Sequence, residues 1–128
     1  MRTPLASMVL AAPAAVVIAA VPGLAARAAR QAEVPRVQVV AITAERFSFS
    51  PSEVRTKAGT TLEIRLRSDD TAHGFHIVGT DVDLELPKRG KGVAVVTFTP
   101  KAGRYIFECS QLCGAGHEFM RGVIVASE

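Results

Sequence analysis

From Cys109 to Met120 the chain reads C-S-Q-L-C-G-A-G-H-E-F-M, which places two thiols, one imidazole and one thioether within a single short segment. Soft thiolate sulfur, imidazole and a weak thioether together make a ligand set for copper. Zinc seldom recruits methionine, and a four-ligand zinc site normally spaces its cysteines C-x2-C, not the C-x3-C of Cys109 and Cys113. Gly114 and Gly116 let the backbone turn sharply enough for the side chains to converge on one point. A mononuclear blue-copper site uses one cysteine, two histidines and a weak axial methionine. Here a second cysteine stands in an equally good place, and two thiolates can bridge two copper ions, leaving one terminal histidine for each. His117 supplies one. The second must come from elsewhere, and both other histidines of the chain, His73 and His76, stand in the segment D-D-T-A-H-G-F-H from Asp69 to His76. The competing structural expectation is a Cys109–Cys113 disulfide, which an exported protein permits. It would close a very small loop and leave His117 and Met120 without a reason for their positions.

The elements that must hold these residues are strands. Beyond Pro35 the apolar pattern takes a period of two. Val37 to Thr43 reads as a first strand, Phe47-Ser48-Phe49 alternates, and Pro51-Ser52 turns the chain. Lys57-Ala58-Gly59 is a second turn before Thr61 to Arg67, where Leu62, Ile64 and Leu66 face one side and Thr61, Glu63, Arg65 and Arg67 the other. Phe75 to Val78, Asp81 to Leu86, Val93 to Thr99, Arg104 to Cys109 and Gly122 to Ala126 complete the set, separated by turns such as Pro87 to Gly90 and Pro100 to Gly103. No sustained helical period follows residue 36. Short strands with Pro/Gly turns at this spacing predict an all-β, Greek-key sandwich or barrel over residues 37–128.

The N-terminus is different in kind. Residues 5–26 are rich in Ala and Val, Arg2 precedes them, and Ala26-Arg27-Ala28 offers an A-x-A cleavage site, so residues 1–28 are expected to form a signal peptide. The alternative is a single membrane anchor, because residues 5–26 are about long enough to span ~30 Å of hydrocarbon, although Pro13 and the dominance of Ala weaken it. Either way the domain lies outside the cytoplasm, with residues 29–36 as a polar linker. The same segment explains the basic pI of about 9.2. Of the 15 Lys and Arg residues, three (Arg2, Arg27 and Arg30) precede Glu33, leaving 12 against all 12 acids. The folded part is formally neutral, which argues against nucleic-acid binding, since that needs a net basic surface.

Together, the C-x3-C-x3-H-x2-M loop and the upstream H-G-F-H segment resemble the CuA domain of cytochrome c oxidase subunit II, in its short bacterial form. P-x-x-V-x-x-K-A-G at Pro51 to Gly59 and P-x-x-G-x-Y-x-F-x-C at Pro100 to Cys109 extend the resemblance over about residues 37–126. It implies a cupredoxin-like fold and a binuclear centre of two copper ions. Cys109 and Cys113 match the bridging thiolates, and His73 and His117 the terminal imidazoles. Met120 matches the weak axial ligand of one copper, and the backbone carbonyl of Gln111 that of the other. His76, three residues beyond His73 and so on the opposite strand face, is left for packing or a hydrogen bond. In many oxidase subunits the position of Gln111 holds a Glu that contributes to a magnesium site, so the resemblance does not carry that site over. The chain also has no Trp to match the family's electron-receiving aromatic tract, with Phe47 or Phe49 in that region, and at most one anchor in place of a two-helix hairpin.

The function so implied is electron transfer: accepting electrons from cytochrome c or a similar donor and passing them to the catalytic subunit of a haem–copper oxidase. No haem ligands or oxygen-reducing centre accompany the site, so the chain is not expected to be catalytic alone. Asp69, Asp70, Asp81, Asp83 and Glu85 bracket His73 and are expected either to be solvated strand edges or to form a docking face for a basic donor. Two other functions fit parts of the sequence: extracytoplasmic copper storage or delivery, which needs the ligands but not the pair, and a disulfide-stapled interaction domain.

Overall fold

The computed structural model describes residues 34–128. The expected signal peptide or anchor over residues 1–28, and most of the linker, lie outside the described residues. Nine strands follow from Val37: β1 (Val37–Glu45), β2 (Ser48–Ser50), β3 (Glu53–Lys57), β4 (Thr61–Ser68), β5 (His73–Ile77), β6 (Asp83–Leu86), β7 (Ala94–Phe98), β8 (Gly103–Glu108) and β9 (Arg121–Ser127). A single 3-10 turn, His117–Phe119, is the one helical piece among the described residues.

The strands form two sheets, in the orders β2-β1-β4-β7 and β3-β9-β8-β5-β6. β1 runs parallel to β4, and β3 parallel to β9; the other pairs are antiparallel. The alternation in β4 works as read: Leu62, Ile64 and Leu66 are fully buried, and Glu63 and Arg65 form an ion pair at 2.7 Å on the other face. β3 is absent from the sequence-derived strands. Its five residues carry a single large apolar side chain, Val54, and its strand state comes from pairing with β9, Val54 opposite Ile124. β5 begins at His73, two residues earlier than its apolar run suggests, because His73 and Gly74 pair with Leu86 and Glu85 of β6.

Between the sheets, Phe49 of β2, Phe75 of β5 and Phe107 of β8 meet with ring centroids 5.1–5.9 Å apart. Aromatic pairs at these separations add about 0.5–1.5 kcal/mol each beyond area burial. Gly122 makes room for the triad: a Cβ there would press into the Phe107 ring and come within 2.6 Å of the Ser52 carbonyl. The same core runs on without a break into Cys109, Cys113 and Met120, so the loop between β8 and β9 is rooted in the packing that holds the sheets together.

Candidate metal centre

β8 and β9 are adjacent antiparallel strands whose last pair is Glu108 with Arg121, so residues 109–120 form an excursion that leaves and returns at one place. The Cys109 amide donates to the Met120 carbonyl (3.1 Å) and closes its base. Within it the His117 amide donates to Gly114 O, Phe119 to Gly116 O and Met120 to His117 O, each at 3.1 Å. Gly114 has φ +144°, a conformation open to glycine and strained for other residues. Gly116 serves differently: the Phe47 ring lies where its Cβ would stand.

The loop turns its sulfur atoms inward. Cys109 Sγ and Cys113 Sγ are 3.7 Å apart, and both cysteines are free thiols. His73 Nδ1 lies 3.9 Å from Cys109 Sγ, and His117 Nδ1 lies 3.8 Å from Cys113 Sγ. Met120 Sδ is 3.9 Å from Cys113 Sγ, and the Gln111 carbonyl accepts from the Cys109 thiol at 3.1 Å. All six residues singled out in the sequence are thus brought to one place, with the pair of sulfurs at its middle. Separations of 3.7–3.9 Å between donor atoms suit metal bonds of about 2.0 Å to nitrogen and 2.3 Å to sulfur. His73, Cys109 and Cys113 alone offer three ligand atoms mutually within 4.8 Å, all from buried residues. His73 and Met120 are fully buried and the cysteines nearly so, whereas His117 is half-buried.

His73 is oriented from behind. Its Nε2 donates to Asp70 Oδ1 at 2.7 Å, which leaves the Nδ1 lone pair directed at the sulfurs. Asp70 Oδ2 accepts the Arg46 amide at 2.9 Å. Burial pushes the Asp70 carboxyl up, but the bonds from His73 and from the Arg46 and Thr71 backbone outweigh it and hold it at about 2. On the other limb, burial pushes the Cys113 thiol up, the adjacent Cys109 thiol adds to the rise, and it reaches about 11. Cys109 Sγ also accepts the Gly74 amide at 3.4 Å. That contact needs glycine, since a Cβ at residue 74 would lie 2.6 Å from the Gln111 nitrogen.

His76 keeps away from this cluster: its Nδ1 bonds to the Val82 carbonyl at 2.9 Å, the hydrogen-bonding role expected of it. The acidic segment is put to several uses. Asp70 serves His73, Asp69 lies 3.7 Å from Arg67, and Asp83 accepts from Ser110 Oγ at 2.6 Å. Sequence reasoning missed Arg46, whose Nε donates to the Cys113 carbonyl at 2.8 Å from 67 residues away. It also assigned Asp70 to the surface, although the D-x-x-H spacing was a usable signal. An open cleft of about 190 Å³, lined by Glu108, Cys109, His117, Glu118 and Arg121, lies beside the loop.

Residues 13–126 match the cupredoxin-like domain family. Over 96 residues the chain is 35% identical to cytochrome c oxidase subunit 2 of Thermus thermophilus, an alignment that covers 73% of this chain and 69% of that protein. The chain belongs to the cytochrome c oxidase subunit II family. A second subunit 2, from another strain record of the same species, is equally similar, with 55% of its length covered. Among solved structures, a haem–copper terminal oxidase dimer superposes with a TM-score of 0.63 at 27% identity, covering 76% of this chain and 68% of that one. The periplasmic domain of oxidase subunit II from Bradyrhizobium japonicum (TM-score 0.63, 16% identity, 70% and 83% covered) shares the fold. So does auracyanin A, a blue copper protein from Chloroflexus aurantiacus (0.56, 19%, 71% and 99%). For a subunit II cupredoxin, the buried His/Cys/Cys cluster is a copper site and its chemistry is electron transfer.

Proposed function

We propose that the site holds a binuclear copper centre of the CuA type, with Cys109 and Cys113 bridging, His73 and His117 as terminal ligands, and Met120 and the Gln111 carbonyl as weak axial ligands. The observation that carries this reading is the pair of thiols 3.7 Å apart, each with its own imidazole Nδ1 at 3.8–3.9 Å. A mononuclear site would leave the second thiol and its histidine redundant. When bound, a copper pair supplies a one-electron redox couple whose charge is spread over two metals. The residues keep that couple rigid and dry. His73, Met120 and both cysteines sit in the core and exclude water, Asp70 fixes the His73 ring, and the closed base of the loop fixes Cys109 against Met120.

Electrons enter and leave by way of the half-buried His117, whose loop also exposes Leu112 and Phe119. This apolar surface suits brief contact with a redox donor such as cytochrome c. The acceptor is the catalytic subunit of a haem–copper oxidase. The family relationship and the likeness to a periplasmic subunit II domain support a location outside the cytoplasm, in the periplasm or on the outer face of the membrane. Stopped-flow mixing of the copper-loaded chain with a reduced c-type cytochrome tests the reading. Rapid cytochrome oxidation that is lost in Cys113→Ser supports it; a loaded chain that takes no electron from any reduced cytochrome while surrendering copper to an acceptor protein would move the function to copper delivery.

A further inference from the structure

Two segments carry the candidate ligands: the start of β5 with His73, and the β8–β9 loop with the remaining five. Both belong to the five-stranded sheet, and they are tied to each other from the opposite sheet, by the turn between β1 and β2. The Arg46 amide donates to Asp70 Oδ2 at 2.9 Å, and Asp70 Oδ1 accepts from His73 at 2.7 Å. The Arg46 guanidinium reaches the other way, its Nε donating to the Cys113 carbonyl at 2.8 Å. Next in sequence, Phe47 lays its ring against Gly114 and Gly116. A Cβ on Gly114 would come within 2.9 Å of that ring, and one on Gly116 closer still. One dipeptide therefore touches the carboxylate behind the first histidine, the backbone of the second cysteine, and the glycines between that cysteine and the second histidine.

From this geometry we infer that Arg46 is a positioning residue, which latches the ligand loop onto the His73 segment and keeps the site formed before metal arrives. The inference rests on the metal-centre reading above. Among the described residues the Arg46 side chain makes no ion pair with a carboxylate, so its charge-assisted bond is committed to the loop backbone. Because Arg46 is exposed and Phe47 more than one-third exposed, the latch closes over the site from outside instead of forming part of its core. A loop held by its own short turns and one base contact would otherwise open locally at little cost, and opening would part Cys113 and His117 from Cys109 and His73. Groups that orient ligands from outside the coordination shell typically change metal affinity by about 10–100-fold.

Arg46→Met removes the guanidinium but keeps the backbone bond to Asp70, and Arg46→Lys restores a cationic donor. Amide hydrogen exchange on the full chain, reduced and metal-free, reads the latch without copper. The expected result is that Arg46→Met speeds exchange of the His117 and Phe119 amides by about tenfold, leaves the β4 and β8 amides at wild-type rates, and is largely rescued by Arg46→Lys. In the loaded protein, copper transfer to a strong copper(I) chelator should quicken by about the same factor with the copper content per chain unchanged. Loop exchange equal to wild type in Arg46→Met would overturn the inference. So would acceleration spread through the strands, or a lysine variant as fast as the methionine one. If the wild type bound no copper pair, the functional reading would fall, and the exchange result would still decide whether Arg46 holds the loop.

Discussion

Cys113 shows how one side chain's surroundings set the conditions for its use. Held at about 11 by burial and by its neighbour Cys109, its thiol is protonated at neutral pH in the metal-free protein, so metal must displace that proton. Copper affinity of the reduced chain should rise with pH by about tenfold per unit for each proton displaced, throughout the range below about 11; chelator competition at pH 6, 7 and 8 measures it. Asp70 works with the opposite sign. Its carboxyl lies at about 2 against an ordinary value of 3.8, so its contribution to folding is complete above about 4 and is lost as pH falls through 2. Urea denaturation of the metal-free protein at pH 5 and pH 2 should show the wild type losing about 1–2 kcal/mol more than Asp70→Asn, the figure being reduced for the partial exposure of the side chain. The ligands themselves were legible because five of the six stand in one short segment with soft-donor chemistry. Asp70 was legible only as a charge, since an acid beside a turn is ordinarily solvated. Arg46 had no local signature: its partner is 67 residues away.

At the scale of elements, the strands were legible wherever one face is buried and the other wet, as in β4. β3 was not, because a five-residue strand with one large apolar side chain is made by its partner β9 and not by its own pattern. The start of β5 was hidden for a related reason: a histidine and a glycine carry no strand signal, and their place in the sheet comes from β6 and from the loop that lies against them. Gly74 is where strand and loop meet. A methyl group there would press on Ser110 and lie 2.6 Å from the Gln111 nitrogen, and backbone cannot swing aside as a long side chain can. Gly74→Ala should therefore cost about 1–3 kcal/mol, typical of overpacking, and displace the Cys109 limb enough to weaken copper retention. Thermal denaturation and copper content of the purified variant check both effects. Gly79, with open space around its Cβ position, marks the contrast: glycine there answers to its φ of +80° and not to a neighbour.

For the whole molecule, the formal charge balance from Glu33 onward directs attention away from a polyanion and toward a partner met through a small surface. The run of acids that the sequence presents as one face is divided in the fold, with Asp70 turned to His73, Asp83 to Ser110, and Asp69 beside Arg67 in a groove that Arg89 also lines. What remains unbroken is the apolar tip of the ligand loop, Leu112 and Phe119. The sandwich thus places its one concentrated piece of chemistry at an end of the fold, near enough to the surface for an electron and too buried for water. The central claim is that two copper ions there share one electron, and the EPR spectrum of the oxidised, copper-loaded chain, taken with its metal content, tests it most directly. Two copper ions per chain and a seven-line hyperfine pattern, absent in Cys113→Ser, are the predicted result. One copper ion per chain with a four-line pattern would contradict it.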